Sequence, residues 1–444
     1  MVVSRKTSVL LGWIILGLIF AAQMWQYARY QPRIAAGNGR GDDGIYYGIM
    51  AEQIYNNQTI TTITPFVYRV GAPWLAAHYA QVFGVAIDDA FQQTSMILAF
   101  TSLTLIYCLG LKLTTPLCAL GAATLCSLPW WGYSRNVWFY PFLSDLPWLV
   151  LILLALVLLV SWPTQRDSVS RISLYALICV LAPLTRETGV LVPALWFFSR
   201  PWIYQYCSLA FFLGDKLKAQ QEKGRYPIKD FYLTILFAGL SCLSALYVHS
   251  LVIPSGGVLL SPDRPYTILT AVLESIRHNT LWHLANCFFL AYGGPLLALC
   301  VILHRSWRVH LQRYPALSVY WFLIVCLAFV GGVNTLRFLS WASPVAFIWL
   351  AVLAQQFCCT PQPLPKKLLA IAIVVVNASF YVKMIHPLDG YYSDYTAWLT
   401  WGGLQSSPLE SSYELLPCLL LFVISIFLGR YVVPDGRVNI GTRA

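Results

Sequence analysis

The chain has 444 residues, of which 58% are hydrophobic and 11% charged, with a mean hydropathy of +0.64. Soluble domains carry about a quarter charged residues, so this composition excludes an ordinary soluble fold and implies a polytopic membrane protein. The net charge of +11 calls for an anionic partner or an asymmetric topology, and no stripe of basic and aromatic residues suggests a nucleic-acid surface.

A membrane-spanning helix takes about 20 apolar residues. In chain order, spans are expected at 8–27, 91–111, 145–162, 231–252, 284–303, 316–332, 338–357, 368–382 and 415–431. Shorter apolar stretches at 116–131, 172–184 and 189–198 add three more. The last two flank the polar Thr185-Arg186-Glu187, either as short helices meeting at that turn or as one buried helix with a break. The expected fold is therefore all-α, one transmembrane domain over residues 1–444 with about 12 spans. Arg5 and Lys6, an apolar run and Ala21-Ala22-Gln23 imitate a signal peptide. The run exceeds the usual apolar core of one and the chain stays apolar beyond it, so an uncleaved first span is expected. Most of the twelve cysteines, such as Cys108, Cys126, Cys242 and Cys326, fall inside spans with no metal or disulfide spacing. They read as small apolar core residues.

Charge sets the expected orientation. With a cytoplasmic N-terminus and alternating spans, 19 of the 29 basic and 5 of the 18 acidic residues fall inside, a balance of +14 against −3 outside. The net charge is thus explained by topology. The basic cytoplasmic loop at 200–230 is expected to lie against anionic lipid headgroups.

Long extracytoplasmic loops are expected at 29–89, 254–283 and 386–413, with short outer turns at 132–145, 185–187 and 334–336. In the first loop, Asp42-Asp43-Gly44 opens a helical pattern with Tyr46, Tyr47, Met50 and Ile54 on one face. Asn56-Asn57 ends it, Pro65 breaks the chain, and a second helix over 68–83 carries Val70, Trp74, Leu75 and Val82 on one side. Two amphipathic helices on the outer membrane surface are expected.

Asp42 and Asp43 are the first candidates for chemistry. A carboxylate at the bilayer surface can deprotonate an acceptor hydroxyl or hold a divalent metal on a phosphate, and equally an Asp before a helix can cap it. Arg186 and Glu187 sit between apolar halves, where charge is costly unless paired or wet. They suit a local ion pair or, for Arg186, a lipid phosphate. Arg337, Arg135 and the Tyr68-Arg69 pair stand at outer boundaries, as snorkelling arginines or as ligands of an anion. His278 and His283 have no third ligand at metal spacing and read as scaffold residues.

The segments Gly41-Asp42-Asp43-Gly44-Ile45-Tyr46-Tyr47, Pro65-Phe66-Val67-Tyr68-Arg69-Val70, Leu184-Thr185-Arg186-Glu187-Thr188 and Leu336-Arg337-Phe338 together resemble the GT-C superfamily of integral membrane glycosyltransferases, especially bacterial relatives without assigned substrates. The resemblance implies a sugar donor on a polyprenyl phosphate or diphosphate, used on the extracytoplasmic face in the assembly of a cell-surface glycan or glycolipid. It implies a glycan, lipid or protein acceptor and a bacterial inner membrane as the location. It implies Asp43 or Asp42 as the catalytic base or acceptor-binding carboxylate. Arg186 and Arg337 would bind the donor phosphate, with Glu187, Tyr68, Arg69, Tyr46 and Arg135 as further substrate-binding candidates. No large soluble C-terminal domain and no second acidic motif accompany these segments, and no divalent metal is assigned. A transporter or flippase of a lipid-linked or polar solute, or a polysaccharide polymerase or ligase, are the alternatives. The spans hold few charges, which weighs against a central polar path.

Overall fold

The computed structural model describes residues 4–31, 33–129, 133–161, 168–200, 228–257, 259–261, 264–265, 314–330 and 335–359, with isolated positions at 272–273, 287, 291–292, 363–365 and 368. The expected spans at 284–303, 368–382 and 415–431, most of the loop at 200–230 and the loop at 386–413 lie outside the described residues, single positions apart.

Apolar runs fold as helices because hydrocarbon offers the backbone no outside partner. Among the described residues, four helices are long and apolar enough to cross a membrane: α1 (Arg5–Tyr30), α4 (Ile87–Leu111), α10 (Ile228–Leu251) and α12 (Thr335–Cys359). Shorter apolar helices are α5 (Pro116–Ser127), α7 (Asp145–Ser161), α8 (Val169–Thr185), α9 (Leu191–Phe198) and α11 (Pro315–Val330). Leu10, Ile14 and Leu18 of α1 and Leu243 and Leu246 of α10 stay exposed. These apolar faces suit lipid, and the molecule is an integral membrane protein. Among the described residues every cysteine is a free thiol. Cys126, Cys179 and Cys287 are buried as expected, whereas Cys242 and Cys326 are exposed and correct the reading of them as core residues.

The polar turn at Arg186 resolves as a hairpin. Helix α8 contains Pro183 and ends at Thr185, Arg186 is extended (φ −163°, ψ 147°), and a 3-10 turn over Glu187–Val190 leads into α9. Tyr175 of α8 donates to the Val192 carbonyl at 2.7 Å and its ring lies 5.2 Å from that of Trp196. Seventeen residues of straight helix would hold Tyr175 and Val192 about 25 Å apart, so α8 and α9 run back along each other.

The first loop folds as α2 (Asp42–Tyr55), β1 (Ile60–Thr64) and α3 (Gly71–Phe83). Helices therefore cover both expected segments, but their faces are used differently. On α2, Tyr47 and Met50 are buried inside the protein. On α3, Ala72, Ala76, Ala77 and Ala80 form the buried face, and Trp74 and Val82 point outward. A core formed by these residues and Phe139, Tyr140, Phe142 and Leu143 lies beneath both helices. The all-α expectation misses one feature. The β-branched run of β1 pairs in parallel with β2 (Val252–Gly257), which follows directly on α10, in the register Ile60 to Val252. Gln53 of α2 steadies β1 by accepting from the Thr61 amide and donating to its hydroxyl, both at 2.9 Å.

Close approach fixes the loop to the bundle. An added Cβ on Gly71 would lie 2.7 Å from both Cα and Cγ2 of Thr185, the last residue of α8. Only hydrogen fits there without backbone movement. Gly71→Ala is expected to destabilise the fold by about 1–3 kcal/mol, read as a lowered melting temperature of the detergent-purified protein. Gly121→Ala in α5, which meets open space, should leave that temperature unchanged or slightly higher.

Candidate functional site

Three helix ends and the first loop meet at one end of the bundle, opposite the N-terminus of α1. Asp145 is the first residue of α7, Arg186 caps α8, and Arg337 lies in the first turn of α12. Their side chains are nearly sealed from solvent, with 8% of Asp145 and 5% of each arginine exposed. Arg337 grips the Asp145 carboxylate in a fork, Nε to Oδ2 at 2.5 Å and Nη2 to Oδ1 at 2.7 Å. Arg186 Nη1 donates to the same Oδ1. A single buried carboxylate thus orients two guanidinium groups, and those groups make its burial tolerable. Trp341, whose ring centroid is 4.8 Å from the Arg186 guanidinium carbon, adds a cation–π contact.

Asp43 joins this group from the first loop. Its Oδ2 lies 3.6 Å from Arg337 Nη1, and 28% of its side chain is exposed. Its position follows from the start of α2. Gly41 holds φ +70°, a left-handed conformation suited to glycine, and occupies the N-cap without a capping side chain. The expected carboxylate cap is therefore replaced by a glycine cap, and the Gly44 amide instead donates to the Tyr140 hydroxyl at 2.9 Å. Asp42 is the first residue of α2.

A second ion pair lies beside the first. Arg69 reaches Glu187 through Nε, 2.9 Å from Oε2, and through Nη2 to Oε1. Its Nη1 donates to the Tyr47 hydroxyl at 3.1 Å, which also accepts from Ser144 at 3.1 Å. Burial alone would lower the Arg69 pKa. Glu187 and Tyr47 beside it more than offset that and hold it well above the usual arginine value. The local-pair reading of Arg186 with Glu187 is thus exchanged for crossed pairing: Glu187 takes Arg69, and Arg186 takes Asp145. Three cations and three anions balance, and Asp43 and Glu187 stand at the exposed margin, with 28% and 49% of their side chains open.

Of the residues expected from sequence, Asp43, Arg69, Arg186, Glu187 and Arg337 come together. Tyr46 and Tyr68 stand at the periphery, Tyr46 stacked on Phe66 at 4.9 Å and Tyr68 against His249 at 3.9 Å. Arg135 points elsewhere, donating to Gln31 of the α1 end at 2.9 Å. Sequence reading missed Asp145, the hub, together with Tyr47 and Ser144. The signal for Asp145 was present: a carboxylate opening an otherwise apolar span demands a cationic partner.

No protein-family model and no curated protein sequence matches the chain. Solved structures do. ArnT from Cupriavidus metallidurans, solved bound to undecaprenyl phosphate, aligns over 96% of this chain and 76% of its own, at 14% identity and a TM-score of 0.53. The oligosaccharyltransferase of Archaeoglobus fulgidus aligns over 98% of this chain at 12% identity and a TM-score of 0.45. The chain spans 57% of that protein's length. The ArnT alignment gives the architecture: this chain has the fold of the GT-C membrane glycosyltransferases, as the resemblance of its motifs implied.

Proposed function

We propose that this protein transfers a sugar from a polyprenyl-phosphate donor to an acceptor on the extracytoplasmic face of a bacterial inner membrane, with its N-terminus in the cytoplasm. The observation that carries the reading is the half-exposed Asp43 carboxylate set 3.6 Å from Arg337 at the edge of a buried two-arginine cluster. Glycosyl transfer from a lipid phosphate needs those two elements. A base takes the proton of the incoming hydroxyl, and cations hold the phosphate as its bond to the sugar breaks. In this reading Asp43 is the base, with Asp42 its neighbour and alternate. Arg337 and Arg186 receive the phosphate, with Arg69 contributing to the positive field. Asp145 is a positioning residue, because its oxygens are taken up by guanidinium bonds. The ArnT fold match and its undecaprenyl phosphate support the donor class. The donor sugar and a glycan, lipid or protein acceptor belong to the same proposal. The charged groups cluster at the end of the bundle, which favours surface chemistry over the transporter or flippase reading. The outward Trp74 and Val82 of α3 suit contact with the outer lipid surface.

Asp43→Asn is expected to lower transfer from undecaprenyl-phosphate sugars by about 10²–10⁴-fold while the protein retains its elution profile and melting temperature. An unaltered rate would reject Asp43 as the base, and Asp42→Asn measured beside it separates the two carboxylates. Asp145→Asn should behave differently. It strands two buried guanidinium groups, and a stability loss of about 3–5 kcal/mol is expected, seen as a depressed melting temperature as well as lost activity.

A further inference from the structure

A cavity of about 30 Å³ lies between α7, α12 and α6 (Arg135–Phe139), with Asp145 and Arg337 on its wall. That is room for one or two water-sized groups. Tyr133, Asn136, Tyr140, Ser340 and Trp341 line it as well. Two of the lining residues carry a buried polar atom without a hydrogen-bond partner among the described residues, the Tyr133 hydroxyl and Asn136 Oδ1. Tyr133 is only 4% exposed. Buried polar atoms almost always find partners, so two orphans on residues that line one small cavity point to a place where a ligand group completes the set. Together they offer a free acceptor amide and a phenol that can donate or accept, the complement of a group that both donates and accepts. A neutral hydroxyl fits that description. An ammonium group is disfavoured by the Arg337 guanidinium on the same wall.

We propose that this cavity is a specificity subsite for one hydroxyl of the transferred sugar, held by Tyr133 and Asn136. The inference rests on the glycosyl-transfer reading above and deepens it. Arg337 lies between Asp43 and this cavity, contacting the first and lining the second. A sugar whose phosphate rests on Arg337 would therefore have a substituent within reach of the cavity. The subsite admits a substituent and not a ring, so it discriminates by the presence and orientation of one hydroxyl.

The test uses the full-length protein in nanodiscs and four probes: undecaprenyl phosphate alone, and the same lipid carrying glucose, galactose or mannose. Wild type is expected to distinguish the three loaded lipids in binding and transfer. Tyr133→Phe and Asn136→Ala should flatten that preference by about tenfold or more, the cost of one lost buried hydrogen bond. Binding of undecaprenyl phosphate alone should stay within about twofold of wild type. Neither target atom holds a bond among the described residues, so folding should be retained, and an unchanged melting temperature checks this. Variants that keep the wild-type preference would show a cavity that holds water alone, which overturns the proposal. A parallel loss of binding to the unloaded lipid would assign the pair to the phosphate or to the fold and overturn it equally. A folded wild type that binds none of the four lipids would reject the glycosyl-transfer reading itself, and the subsite with it.

Discussion

A carboxylate stripped of water is costly, and Asp145 is held with 8% of its side chain exposed. Its burial is tolerable only because Arg186 and Arg337 bring charge and hydrogen bonds to both of its oxygens. Those partners lie 41 and 192 residues away in sequence. The requirement therefore fixes three helix ends at one point: the start of α7, the end of α8 and the start of α12. The hairpin between α8 and α9 answers to the same constraint. Arg186 must leave the helix in an extended conformation to turn its side chain toward Asp145, and the chain reverses at that point.

The first loop is fastened to this hub by contacts of several kinds. Arg69 binds Glu187 on the residue after Arg186, Tyr47 receives bonds from Arg69 and from Ser144 beside Asp145, and Gly71 packs on Thr185. The β1–β2 pair adds a backbone tether to the end of α10. Asp43 and Tyr47 are four residues apart on α2, hence on one face. Burying the tyrosine consequently sets where the carboxylate stands. A loop fastened in this way behaves as part of the scaffold, and a site built on it gains the preorganisation that electrostatic catalysis uses.

Much of this architecture was legible in the sequence because hydrocarbon imposes a simple code. Among the described residues, helices cover the apolar runs from Ser8, Phe91, Asp145, Phe231, Ala316 and Phe338, and α2 and α3 cover the patterned segments of the first loop. The candidate site was legible in part. Asp43, Arg186 and Arg337 stood out as charges at boundaries, yet their convergence depends on pairings between distant segments, which no local pattern encodes. Asp145 was overlooked because it reads as the polar edge of an apolar span. Its partner is obligatory but unnamed until the fold supplies it. The β1–β2 pair was missed for a related reason. Ile60–Thr64 is β-branched throughout, but a short strand shows itself only with its neighbour, and that neighbour lies almost two hundred residues later.

The two carboxylates beside Arg337 illustrate how environment divides labour between identical groups. Asp145 is enclosed, and its oxygens accept from guanidinium groups, so a proton arriving there would have to displace a charged partner. Asp43 sees Arg337 at 3.6 Å, beyond hydrogen-bond distance, and keeps 28% of its side chain open. A base needs a free lone pair, access to the incoming hydroxyl and a nearby cation that does not consume it. Asp43 meets those conditions and Asp145 does not, which is why the proposed base is the carboxylate on the loop. The hub acts through it. By holding Arg337 in a fork, Asp145 fixes the direction of the guanidinium face turned toward Asp43 and toward the cavity behind it. The arrangement thus leaves Arg337 beside Asp43 and on the wall of the cavity, which is why the proposed reading puts the donor phosphate there.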